Sequence, residues 1–180
     1  MNFKNIILYP VFLASLFTGV AYAVPKNGFS LNAGTASHNR DCNGCTNSKT
    51  SGLSIGMDYQ FSLSNNFSIS PFLMSSSETA SNVSNNDAVG HGILGGQIRY
   101  WVGDVFIGAH LGRYSEVLII GNTLFSGAGG GTGLVAGWEA PDSGVYVMGQ
   151  FDSAKITYPT LSNANTNFTA LRLSLGYRWK

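Results

Sequence analysis

Three histidines carry what unassisted proton-transfer chemistry this chain has near neutral pH, because imidazole is the side chain whose ordinary titration falls there. An activated nucleophile would need one of them within hydrogen-bond reach of a hydroxyl, with a carboxylate to orient the ring. His110, Ser115 and Glu116 are close in sequence. In an extended strand, though, Ser115 stands about 16 Å along from His110 and on the opposite face. His38 and Asp41 are expected at the rim of a loop, with no nucleophile beside them. Two thiols and a loose histidine are too few for a structural zinc site. The thiols are Cys42 and Cys45, in Asp-Cys-Asn-Gly-Cys-Thr. Redox chemistry at a C-x-x-C pair needs a thioredoxin-like βαβ setting, and no helical pattern lies nearby. Asn43-Gly44 is instead a type I′ turn signal that brings its flanking residues together at a hairpin tip. The expectation is a plain loop disulfide, Cys42 to Cys45.

Other motifs dissolve in their context. Gly131-Thr132-Gly133-Leu134-Val135-Ala136 fits the dinucleotide fingerprint by letter. That fingerprint has meaning only between a strand and a helix N-terminus, whereas here it sits inside a glycine-rich strand. Asn66-Phe67-Ser68, Asn82-Val83-Ser84 and Asn167-Phe168-Thr169 are glycosylation sequons by pattern, and are read as chance in a chain this rich in Asn and Ser.

The elements that must position these groups begin with a segment to be removed. Lys4 gives a positive start, Ile6 to Val20 is mostly apolar, and Ala21-Tyr22-Ala23 supplies a small-x-small cleavage site. Pro10 and the single flanking Lys argue against a retained membrane helix, which wants about 20 unbroken apolar residues. Residues 1–23 are therefore expected to be a signal peptide and 24–180 one domain. Behind a signal peptide an oxidised cysteine pair is the default. Only 11% of the chain is charged and 44% is hydrophobic, against roughly a quarter to a third ionic residues on a typical soluble surface. Near-neutral net charge also removes the basic footprint that nucleic-acid binding requires.

From Phe29 onward the pattern has a period of two. Leu171, Leu173, Leu175, Tyr177 and Trp179 fall on one face of the last segment; Ala170, Arg172, Ser174, Gly176 and Arg178 fall on the other. Leu53, Ile55, Met57, Tyr59 and Phe61 repeat the arrangement against Ser54, Gly56, Asp58 and Gln60. Eight strands are expected, at about 27–38, 50–61, 66–76, 90–102, 105–116, 126–139, 144–156 and 167–179. Short turns at 62–65, 103–104 and 140–143 alternate with longer polar connections at 39–49, 77–89, 117–125 and 157–166. An even strand number with short turns at one end and longer loops at the other is the outer-membrane barrel pattern. Tyr59, Phe61, Phe67, Tyr100, Trp101, Trp138, Phe168, Tyr177 and Trp179 gather near strand ends, as an interfacial girdle would. A soluble secreted β-sandwich is the alternative fold.

In those registers Asp58, Arg99, His110, Glu139, Asp152, Arg172 and Arg178 point inward. Unpaired charges in a dry interior would be prohibitive, so they are expected to pair into a polar network that plugs the barrel. A gated ion path is the second reading, against which an eight-stranded barrel leaves little room beyond side chains.

The closing strand, with Leu171, Leu173, Leu175, Tyr177 and Trp179 on one face, resembles that of the small outer-membrane barrels of the OmpA/OmpX/opacity type. In that family an alternating last strand ending in an aromatic is the recognition signal for the barrel assembly machinery. Lys180 departs from the pattern by leaving the aromatic second from last. The likeness covers the domain in layout and its final dozen residues in motif. It implies an all-β, eight-stranded antiparallel up-and-down transmembrane barrel in the outer membrane of a Gram-negative bacterium. It also implies contact with membrane lipid and lipopolysaccharide, surface loops for adhesion, immune evasion or envelope stability, and no cofactor. Some barrels of this type are lipid A deacylases that use a His-x-Ser pair with a nearby Glu. Ser37-His38, His91-Gly92-Ile93 and His110-Leu111-Gly112 lack that spacing, so a non-enzymatic surface protein is the expected function. A narrow pore for ions or small solutes is the alternative, and a lipid-modifying enzyme the third. Host or matrix molecules are the expected loop partners, with 77–89 and 157–166 the expected contact surfaces.

Overall fold

Side chains that alternate apolar and small or polar favour extended backbone, and a sheet built of such strands must either cover its edges or close. Here it closes. The computed structural model describes residues 25–42, 48–80, 88–120, 123–159 and 164–179, so the expected signal peptide at 1–23 lies outside the described residues. The strands run in chain order as β1 (Gly28–Cys42), β2 (Ser48–Ser62), β3 (Phe67–Ala80), β4 (Ala88–Val102), β5 (Val105–Ile120), β6 (Thr123–Glu139), β7 (Val145–Tyr158) and β8 (Ala164–Trp179). Each pairs antiparallel with its neighbours, and β1 meets β8 with Phe29 opposite Trp179, closing an eight-stranded barrel.

Three connections at one end are tight. In the 103–104 turn Gly103 takes φ 60°, the left-handed value that the first central residue of a type II′ hairpin requires. At 140–144, Asp142 and Gly144 take φ 59° and 79°, conformations that Asp tolerates and Gly adopts freely.

At the other end the strands run further than the sequence pattern suggests. β1 continues past residue 38 to Cys42, β3 past 76 to Ala80, β5 past 116 to Ile120, and β6 begins at Thr123. Much of each expected loop is thus strand, and β5 and β6 are joined by 121–122 alone. On β1 and β3 the apolar outward alternation stops earlier, whereas on β5 and β6 it continues through Val117, Ile119 and Leu124; the hydrogen-bonded ladder depends on it in neither case. Polar segments such as His38-Asn39-Arg40 keep their pairing with Thr50-Lys49-Ser48. Cys42 ends β1 and Cys45 falls within 43–47, so their expected pairing lies outside the described residues.

The barrel is inside out relative to a soluble protein. Leu53, Leu94, Leu111, Leu134, Leu171, Leu173 and Leu175 are exposed on the outer face, while Arg99, Arg172, Arg178, Glu116 and Asp152 are buried within. An outer band of this kind is stable only against lipid. At the short-turn end it carries paired rings, Phe67 with Tyr100 at 4.9 Å, Tyr59 with Phe61 at 4.6 Å and Phe29 with Trp179 at 5.9 Å. Two of the expected girdle aromatics do not belong to it. Trp101 and Phe168 are buried inside the barrel, because each falls on the same strand face as an inward arginine, Arg99 and Arg172.

Inward glycines leave the room that interior rings occupy. A Cβ at Gly176 would collide with the Tyr146 ring, which is fully buried and accepts at its hydroxyl from Asn32 Nδ2. Gly176→Val is expected to lower stability by about 1–3 kcal/mol through overpacking. Urea unfolding in lipid checks this, with Gly96→Val, where a Cβ meets nothing within 4 Å, as the contrast.

Candidate functional site

The interior is organised as three stacked clusters. Nearest the short turns, Asp58 accepts from Ser30 Oγ at 2.5 Å and from Arg99 Nη2 at 3.3 Å, with Arg178 Nη2 at 4.0 Å. Arg99 Nη1 donates to Gln60 Oε1 at 3.0 Å, and Arg178 Nη1 donates to Glu139 Oε2. Both guanidiniums also lie over rings, Arg99 at 4.9 Å from Phe106 and Arg178 at 5.3 Å from Tyr146. These cation–π contacts stabilise charges that burial would otherwise penalise.

Asp152 organises the middle cluster. Its Oδ1 accepts from His110 Nε2 at 2.7 Å, Tyr114 Oη at 2.8 Å and Gln150 Nε2 at 2.9 Å. Its Oδ2 faces Arg172 Nη1. One carboxylate thus ties together β5, β7 and β8. Arg172 extends the network upward, with Nη2 at 3.0 Å from His38 Nε2.

Towards the loop end lies a third cluster. Glu78 Oε1 abuts His38 Nδ1, and its Oε2 lies 3.6 Å from His91 Nε2. Thr50 and Ser76 hydroxyls donate to the same carboxylate. The two imidazoles stack at 4.3 Å between ring centroids, and Phe168 packs against both at 4.9 Å. Above them Arg40 Nη1 pairs with Glu116 Oε1 at 2.8 Å.

Each residue of the expected inward set, Asp58, Arg99, His110, Glu139, Asp152, Arg172 and Arg178, is buried inside, and they divide between the two lower clusters. His38, expected at a loop rim beside Asp41, is instead buried in the third cluster while Asp41 faces out. The ladder carries β1 on past it, so alternation turns His38 inward. Arg40, Glu78, His91 and Glu116 complete that cluster: Arg40 and Glu78 lie just past the expected strand ends at 38 and 76, while His91 and Glu116 lie inside the expected strands 90–102 and 105–116 without having been singled out as inward. Extending the period of two by two residues turns Arg40 and Glu78 inward, and counting from Arg99 and His110 within the expected strands does the same for His91 and Glu116.

As chemistry, the described interior is a set of arginine–carboxylate pairs together with Glu78, which meets hydroxyls and imidazoles. Among the described residues, no serine or threonine hydroxyl is hydrogen-bonded to an imidazole, so the arrangement lacks the pairing that activates a nucleophile.

No protein-family model and no curated protein sequence matches this chain. Solved structures do resemble it. Ail, the attachment invasion locus protein of Yersinia pestis, is 13% identical, with a TM-score of 0.57 over 86% of this chain and 100% of its own. Neisserial surface protein A is 14% identical, with a TM-score of 0.58 over 84% of this chain and 96% of its own. Ail has also been solved in complex with sucrose octasulfate, a heparin analogue. At such identities the likeness is one of fold, and the fold is that of the small eight-stranded transmembrane barrels of the outer membrane.

Proposed function

We propose that this chain is a non-enzymatic surface protein of the Gram-negative outer membrane, anchored by its barrel and working through its loop-end segments. The observation that carries the reading is the packed interior. Trp101, Phe106, Tyr114, Tyr146, Phe168, Ile93 and Ile156 are buried within the barrel together with the arginine and carboxylate pairs. A lumen filled in this way serves to hold the wall closed, which leaves the loop end as the surface free to meet partners. The outer apolar band supports contact with lipid and lipopolysaccharide. Leu171, Leu173, Leu175, Tyr177 and Trp179 all face outward on β8, an accessible edge for the assembly machinery before closure, and residues 1–23 would direct export.

Adhesion is the specific role best supported. The fold likeness to an attachment protein solved with a heparin analogue makes sulfated glycan the first probe. Replacing 81–87 and 160–163 by short Gly-Ser turns is expected to abolish binding of cells to immobilised heparin and matrix, while the purified barrel keeps its heat-dependent gel shift. The same protein in planar bilayers should give no stable conductance. Steady ion-selective steps would sink this reading in favour of the narrow pore.

A further inference from the structure

We infer that the His38–Glu78–His91 cluster is a binding site for a divalent transition metal, zinc foremost. The three side chains come from β1, β3 and β4, all are buried, and their ligand atoms lie within 4.8 Å of one another. Two imidazole nitrogens and one carboxylate are the donor set of three-ligand zinc sites that keep a fourth position open. Across a tetrahedral zinc with bonds of about 2.0–2.1 Å, ligand atoms stand about 3.4 Å apart. The 3.6 Å between His91 Nε2 and Glu78 Oε2 is already close to that.

Two independent features point to a ligand. His91 is 4% exposed, yet neither of its ring nitrogens has a hydrogen-bond partner. A buried polar group left unmatched costs free energy unless something else engages it. The second feature is charge. Arg40 pairs with Glu116, Arg99 with Asp58, Arg178 with Glu139 and Arg172 with Asp152. Glu78 meets instead two hydroxyls and two imidazoles. A cation held at the edges of both rings, which splay from their 4.3 Å stack so that the two nitrogen lone pairs converge, matches that carboxylate, and Thr50 and Ser76 hold it in orientation as the partners of metal-bound carboxylates do.

Binding entails one proton rearrangement. A guanidinium only donates, so the 3.0 Å contact from Arg172 makes His38 Nε2 the acceptor and puts the ring proton on Nδ1, facing Glu78. Metal at Nδ1 displaces that proton to Nε2, and Arg172 Nη2 gives up its contact while Nη1 keeps Asp152. The Arg40–Glu116 pair lies between the site and the loop end.

The test uses the folded full barrel without a histidine tag, in detergent, titrated with Zn2+ by calorimetry and with Co2+ by absorption and NMR. One equivalent should bind. Co2+ should broaden the imidazole signals of His38 and His91 before those of His110, which belongs to the cluster below. His91→Phe, which can stack on Phe168, and Glu78→Gln should each weaken Zn2+ binding by at least about 100-fold, more than loss of a supporting group costs, with the heat-dependent gel shift retained. Absence of binding, broadening that does not distinguish the histidines, or affinity unchanged in both folded variants would overturn the assignment. The NMR comparison stands even where a variant fails to fold.

Discussion

Asp152→Ala is expected to lower the stability of the folded barrel by about 3–5 kcal/mol, the cost of removing one partner from a buried ion pair. The carboxylate is fully buried and is shared by His110, Tyr114, Gln150 and Arg172. Without it the Arg172 guanidinium stays in the barrel with no opposing charge, and three donors lose their acceptor together. Asp152→Asn should cost less, since an amide oxygen still accepts from Tyr114 and Gln150. Equilibrium unfolding in lipid vesicles, with gel mobility as the readout, measures both. The double variant Asp152→Ala/Arg172→Leu should recover part of the loss, because it removes the stranded charge as well. If Asp152→Ala unfolds at the wild-type denaturant concentration, the interior network is not what holds the wall closed.

Leu134→Arg is expected to cost about 2–4 kcal/mol, the penalty for a cation on the lipid face near the bilayer midplane. Leu134 is 63% exposed and stands in an outward row with Ile98, Ala109, Phe151 and Leu171, strand by strand across β4 to β8. Asn167→Arg provides the contrast. Asn167 faces out beside Lys155 towards the loop end, where a further cation should cost only about 0–1 kcal/mol. The same unfolding assay reads both. A soluble barrel would show the opposite order, since an arginine at an exposed leucine would then be harmless and would improve solubility.

The barrel was legible because lipid and lumen impose opposite demands on alternate residues. Leu171, Leu173, Leu175, Tyr177 and Trp179 against Arg172, Ser174 and Arg178 leave one arrangement open to β8, and seven other segments repeat the rule less cleanly. That alternation sufficed to turn Asp58, Arg99, His110, Glu139, Asp152, Arg172 and Arg178 inward. It did not reveal where strands stop, because polar residues beyond the lipid boundary keep their backbone pairing. Arg40 and Glu78 sit in that continuation, in segments expected to be loop, and His38 was expected at the rim. Trp101 and Phe168 show a second limit: an aromatic near a strand end reads as girdle until its face is counted from a neighbour of known direction.

The sequence by itself determined the class of fold, the strand count and the face each well-patterned side chain presents, since these follow from a local period of two. Only the tertiary structure decided who meets whom inside. His38 and Glu78 lie in strands that are not paired to each other, as do Asp152 and Tyr114. Their contact depends on the stagger accumulated around the closed wall. Sliding one strand by two residues would keep every face and yet move its side chains by about 6.6 Å along the barrel. The faces would be the same and the partners different, which is why the charges could be listed from the sequence and their pairs could not.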